Sequence, residues 1–400
     1  MTHKERMLAV MRGEMADRIP FAPRLDLWWL ANALSGKLPP RFQGMKPDDI
    51  AREYGWSSYH MVPDFTNLMR GPEDILHRAL GLFQFKQSVY RWELPPEVEV
   101  KVRTEDGLQV IEYHTPRGLV RTKGGLTAEM AKQGASLGWT REHLIQSLDD
   151  YAPAAYLFEN LKVSPQYEGA LAYAQEIGDR GVVAVGGPSL GASPMHHIQK
   201  EFFDATRFFF EYQDHYAQLA ALAESVEVYF EKVLKVIADS PGEVVLWGAN
   251  YDENLTWPPY FKKEILPWLR RASERLHAQG KLVATHTDGE NRGLMDLIRE
   301  SGVDVAESVT PHPMTKVRIE EYYARWKDQL TLMGCIPECL LLKETATEAE
   351  LDRFLDNLFQ NLKPGDRLIL GIADSTPPNA VFDRLVKIGE RIEKEGNLPL

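Results

Sequence analysis

Along the second half of the chain, short apolar and β-branched runs alternate with longer stretches whose apolar positions recur every three or four residues. The runs lie at 181–186, 243–248, 281–285, 303–307, 330–335 and 367–371. Continuous apolar runs predict strands covered on both faces, as in a parallel sheet, because a half-exposed strand would alternate apolar with polar. Helices are predicted over 261–277, 294–300, 347–362 and 381–394, with Gly280, Gly302 and Gly365 standing where helix C-caps fall. Two further strand candidates lie upstream, at 18–23 and 59–62, which makes eight. Eight strands alternating with helices close most economically into a (β/α)8 TIM barrel, although a doubly wound open sheet shares the same alternation.

Between 98 and 123 the pattern changes to strict alternation, as in Val98-Glu-Val-Lys-Val-Arg103, broken at 105–107 and 116–118. This predicts a three-stranded antiparallel meander, an insertion over 95–125 in a single barrel domain spanning 1–400. So short a segment, about 25 residues, buries too little apolar surface to fold alone. With 400 residues, 44% hydrophobic and 26% charged, the chain has ample material for a core. Its net charge of -12 argues against a nucleic-acid partner. No apolar run reaches the length of a membrane helix and the N-terminus is not signal-like, so no membrane association and a cytoplasmic location are expected.

Active sites of parallel barrels collect at the C-terminal ends of the strands, and here those ends are polar. His286 and Asp288 follow 281–285 at a spacing that shares one face of an extended strand. That pair suits metal binding or acid/base chemistry; the plain alternative is a helix cap beside a core histidine. Glu307 has the parity of Val303 and Val305, which points it inward, where a carboxylate needs a cation or a proton. His286, Asp288 and Glu307 are therefore a candidate zinc site with one nitrogen and two oxygens, or a hydrogen-bonded network without metal. Cys335 is a candidate extra ligand, although it and Cys339 read first as buried thiols. Asp252, within Asn250-Tyr-Asp-Glu-Asn254, is a candidate catalytic carboxylate. Arg24 is a candidate to hold a substrate carboxylate, against an ordinary ion pair with Asp26, and Trp28, Trp247, Asn250 and Tyr251 at strand ends suggest a flat ligand surface; the alternative for the rings is the core. Glu338, Ser375 and Thr376 read as helix caps, 186–191 as a tight turn, and His196-His197 as helix surface.

Several motifs carry a resemblance. Glu5-Arg-Met-Leu-Ala-Val-Met-Arg-Gly-Glu14, Asp17-Arg-Ile-Pro20, His286-x-Asp-Gly289, Gly302-Val-Asp-Val-Ala-Glu-Ser-Val-Thr-Pro311 and Gly371-Ile-Ala-Asp-Ser-Thr-Pro-Pro-Asn379 together resemble the uroporphyrinogen decarboxylase superfamily over nearly the whole chain. The resemblance implies a (β/α)8 barrel, a homodimer, and one of two chemistries: decarboxylation of a porphyrinogen, or zinc-assisted methyl transfer with a corrinoid protein. The decarboxylases carry an Arg-rich segment after their first strand, whereas Arg24-Leu-Asp-Leu-Trp-Trp29 has one Arg and two Trp. Asp288 stands where thiol-using methyltransferases of the superfamily have Cys, and 370–373 lacks their second Cys. An oxygen-rich site is a harder Lewis acid than a thiolate site, which favours an oxygen-bound methyl group. The expected function is transfer of a methyl group from a methoxylated aromatic to the cobalt of a separate corrinoid protein. A decarboxylase-like lyase acting on a small acid or tetrapyrrole, and a non-catalytic corrinoid- or porphyrinoid-binding barrel, are the other readings.

Overall fold

The computed structural model describes residues 1–63, 78–82, 87–133, 135, 138–189 and 191–400. The main sheet begins with β1 (Ser58–Val62). Antiparallel strands follow: β2 (Tyr90–Glu93), β3 (Glu99–Glu105), β4 (Leu108–Thr115), β5 (Gly118–Gly125), β6 (Trp139–Glu142) and β7 (Lys162–Pro165). The main sheet resumes with β8 (Gly181–Gly186), β9 (Val244–Ala249), β10 (Leu282–His286), β11 (Val305–Val309), β12 (Thr331–Ile336) and β13 (Leu368–Ile372). It is parallel throughout, in the order β1-β8-β9-β10-β11-β12-β13, and each strand falls within a residue or two of an apolar run.

The expected eighth strand at 18–23 does not form, and among the described residues strand pairing does not close a barrel. Instead Phe21 makes a single parallel bridge to Leu370. Ala22 N donates to Leu370 O and Leu370 N to Pro20 O, while on the other side Ser57 N donates to Phe21 O. The reason is chemical: Pro20 and Pro23 have no N–H, so the segment cannot sustain a ladder on either side. Because these few residues touch both β13 and the start of β1, the seven-stranded sheet must curl until its edges almost meet.

That curl creates two hydrophobic cores. The inner one is lined by alternate residues of the main sheet, among them Met61, Ala184, Leu246, Ala284, Val305, Met333 and Ile369, all buried. Its lower end is plugged by Met7, Leu8, Val10 and Met11 from the helix His3–Met11. Thr2 starts that helix with a capping box, Thr2 Oγ1 accepting from Glu5 N at 3.1 Å and Glu5 Oε2 from Thr2 N at 2.8 Å. Thr331 Oγ1 then donates to Val10 O at 2.6 Å, tying the plug to β12. The outer core lies between sheet and helices, including the 23-residue helix Tyr216–Ala238.

Residues 99–125 form the antiparallel strands β3, β4 and β5, and β6 adds a fourth beside β5. Asp106 and Gly107 both take positive φ (52° and 76°) in the two-residue loop joining β3 to β4, the conformation that matches the twist of a hairpin. β2 and β7 pair separately.

The plug carries a prediction. Met7→Ala removes a fully buried side chain from the inner core and should cost about 2–5 kcal/mol, read as a lowered urea midpoint. An unchanged midpoint would show that the helix does not seal the sheet.

Candidate active site

β10 and β11 pair so that Ala284 faces Val305, Thr285 faces Ala306 and His286 faces Glu307. Ala284 and Val305 fill the inner core, so His286 and Glu307, two residues on, occupy the same face one layer higher. There they meet. His286 Nδ1 pairs with Glu307 Oε2, while Nε2 faces Asp374 Oδ1 at 3.3 Å. Arg24 completes the group, its Nη1 3.6 Å from Asp374 Oδ1 and 4.0 Å from Glu307 Oε1, and donating to Asp374 O at 3.3 Å. Asp374 is set by its backbone neighbours: Ala373 N donates to Ile336 O, and the Ser308 hydroxyl donates to Ala373 O.

Two basic and two acidic side chains meet here, and their contacts shift the titration of His286 and Asp374. Burial alone would strip the proton from His286, but Glu307 and Asp374 outweigh it and push the imidazole up to about 10. Burial likewise opposes the charge on Asp374, yet the His286 contact and the Arg24 charge bring its carboxyl down to about 2. The imidazole is thus a cation at neutral pH, held at both nitrogens.

Two further carboxyls overlook this clamp. Asp288 Oδ1 accepts from Thr310 Oγ1 at 3.0 Å, and burial, with Asp374 and Glu307 nearby, raises its carboxyl above the ordinary range. Glu338 stands on the 3-10 turn Glu338–Leu341 after β12. Burial, reinforced by Asp374 and Asp288, pushes it up to about 7. Glu338, expected as a helix cap, does not act as one: the turn has no side-chain cap hydrogen bond. Its position just past a strand end was the available signal.

The expected zinc tripod does not fit the residues as placed. Glu307 occupies Nδ1 of His286, so the two are partners across one ring edge and do not present a common point to an ion. Nε2, the other nitrogen, faces Asp374. Cys335 is fully buried in β12. Among the described residues no three His, Cys, Asp or Glu side chains are grouped to hold a metal ion.

The remaining expected residues scatter. Asp252 organises its own loop, accepting from Asn254 N at 2.8 Å and from Glu290 N at 3.1 Å. Asn250, at φ 60°, donates its N–H to His286 O and so lies beside the clamp. Tyr251 is fully buried with its hydroxyl 2.7 Å from Thr285 Oγ1. Trp247 is fully buried and donates to Ala192 O at 3.0 Å. Trp28 packs on Phe42 and Phe382. These three rings are core here, with no surface to offer a ligand. His196 and His197, expected on a helix surface, are buried as well. Of the turn at 186–191, Leu190 lies outside the described residues.

The clamp has a pH signature. His286 is held above its ordinary 6.5, so the stability it contributes is complete below that value and lost as pH rises through about 10. Asp374, held down to about 2, contributes stability above its ordinary 3.8 that is lost as pH falls through 2. In Glu307→Gln the imidazole should titrate at lower pH than in the unaltered protein, followed by NMR of the ring carbon. A His286 titration near 6.5 in the unaltered protein would contradict the clamp.

No family model matches the chain, and no curated protein matches it. Among solved structures it is similar to a methyltransferase from Methanosarcina mazei, with a TM-score of 0.54 and 11% identity over 98% of this chain and 99% of that one. A protein described as a sugar phosphate isomerase/epimerase of Anabaena variabilis (TM-score 0.31, 12% identity, 60% of this chain and 72% of that one) and Dispersin B (0.28, 10%, 58% and 76%) are more distant. At such identities the likeness is one of fold, here an α/β fold built on a curled parallel sheet.

Proposed function

We propose that the chain is a methyltransferase that takes a methyl group from an oxygen-bound donor, a methoxylated aromatic, and passes it to the cobalt of a separate corrinoid protein. On this reading the fold is a (β/α)8 barrel whose eighth position is filled by 20–22, acting as a homodimer. One observation carries it: a doubly held imidazolium at the C-terminal strand ends of a chain that shares its fold with a methyltransferase over nearly its full length.

The step is a displacement. The electron pair of cobalt(I) forms the bond to the methyl carbon as the carbon–oxygen bond breaks, and the oxygen departs with its electron pair. A phenolate leaving in this way needs a proton. His286 Nε2 is suited to give it, since its contact to Asp374 is long at 3.3 Å and the Asp374 side chain is 39% exposed. The carboxylates on either side hold the imidazole above its ordinary range, so its proton is present at neutral pH and available to a departing phenolate. Glu307, 2% exposed, keeps Nδ1 and the ring orientation fixed throughout.

Methylation of an added cobalt(I) corrinoid by methoxybenzenes, read from the corrinoid spectrum, tests the reading; no methylation from any oxygen-bound donor would sink it. Replacing His286 with Ala should then lower the rate by about 10²–10⁴-fold with the fold retained by circular dichroism. An unaffected rate would remove the proton donor from the scheme.

A further inference from the structure

A cavity of about 850 Å³ opens among the helix His3–Met11, the segment 18–23, residues 53–57 and the helix Phe382–Glu395. Residues 53–57 lead into β1, whereas the clamp follows the far ends of the parallel strands, so the cavity lies at the opposite end of the sheet. Its volume is that of a small-molecule site. Ile19, Pro20, Phe21, Val386 and Ile392 give it an apolar wall.

One polar group at this wall lacks a partner. Trp56 is 6% exposed, set edge-on to Phe21 with 5.4 Å between ring centroids and stacked on Tyr54 at 4.9 Å. Its indole N–H finds no acceptor among the described residues, and the nitrogen is not sealed off as the unpartnered Tyr59 hydroxyl is. Gly389, in mid-helix where glycine is unfavourable, leaves that edge uncovered: a Cβ there would stand 2.4 Å from Nε1. One helical turn on, Glu393 holds Arg18. His3, with Nδ1 2.9 Å from Ser57 Oγ, and Arg6, bound to Asp17, complete this end of the cavity. The potential here is positive. Burial first, then Arg6 and Arg18, lower the His3 imidazole below its ordinary 6.5, and the two cations act on it more strongly than Glu393 and Asp17.

We propose that this cavity binds a small carboxylate with an apolar body, the carboxylate accepting from Trp56 Nε1 beside Arg18 and the body lying on Phe21, Val386 and Ile392. A sheltered N–H without an acceptor then gains a charge-assisted hydrogen bond. A dianion suits the site less, because Glu53, Glu390 and Glu393 also line it. Ile19, Pro20 and Phe21 belong to the wall and Arg24 follows three residues later, so an occupant braces the segment that delivers Arg24 to the clamp.

The full chain has nine Trp, and the indole signal missing from Trp56→Phe identifies Trp56 in the two-dimensional proton/nitrogen NMR spectrum. Adding 2-naphthoate should move that signal to saturation and slow hydrogen exchange at the Ala22 amide. By calorimetry 2-naphthoate should bind about tenfold more tightly than neutral 2-naphthamide. Trp56→Phe should weaken naphthoate about tenfold, and Arg18→Met should bring acid and amide level. Urea midpoints establish that both variants fold; were Trp56→Phe not to fold, the comparison of acid with amide and Arg18→Met would still decide. An unmoved Trp56 signal, naphthoate binding that survives Trp56→Phe, or an amide that binds the unaltered protein as tightly as the acid would overturn the site. Binding without slower exchange at Ala22 would overturn the bracing.

Discussion

The register that sets His286 opposite Glu307 is the constraint on which the cleft depends. Side chains alternate along a strand, so a slip of one residue would send both groups outward among the helices and bring Thr285 and Ala306 to the inner face. The layer beneath is Ala284 and Val305, which offer no polar contact. An imidazole and a carboxylate placed just above them must therefore satisfy each other. Removing either one leaves the other leaning on its longer contact, His286 on Asp374 at 3.3 Å or Glu307 on Arg24 at 4.0 Å, a poorer compensation for a buried charge.

Unequal burial then divides the work within the clamp. Glu307 is almost wholly enclosed and its partner nitrogen is locked, whereas Asp374 is partly open to solvent and its contact is long. One proton of the imidazolium is structural and the other is accessible. Above the clamp the balance of charge fails: Asp288 and Glu338 add carboxyls without adding cations, and burial with mutual repulsion favours their protonated forms. The cleft is thus rich in transferable protons while remaining lined by acids, an arrangement suited to neutralising an oxygen anion as it forms.

Much of this was legible in the sequence, for identifiable reasons. Runs such as 181–186 and 367–371 mark their strands because a strand covered on both faces must be apolar throughout. Glu307 was placed inward by parity with Val305, and parity survives as long as the strand is regular. Other features left no periodic trace. Asp374 and Glu338 stand in irregular segments just past strand ends, where an acid reads equally well as a cap. Trp28, Trp247 and Tyr251 went to the core because an aromatic ring at a strand end carries no local sign of whether a helix will cover it.

The two sides of the clamp are also held with different stiffness. Glu307 and His286 belong to adjacent paired strands inside the sheet. Arg24 is delivered by the segment that Pro20 and Pro23 prevent from becoming a strand, and that segment is joined to its neighbours by a single bridge and a few hydrogen bonds. Its firmest ties near the site run to the loop that carries Asp374: Arg24 donates to Asp374 O, and Thr376 N donates back to Arg24 O. Arg24 and Asp374 are therefore tied to each other across the open seam, where fewer backbone hydrogen bonds oppose local opening than between the paired strands that carry His286 and Glu307.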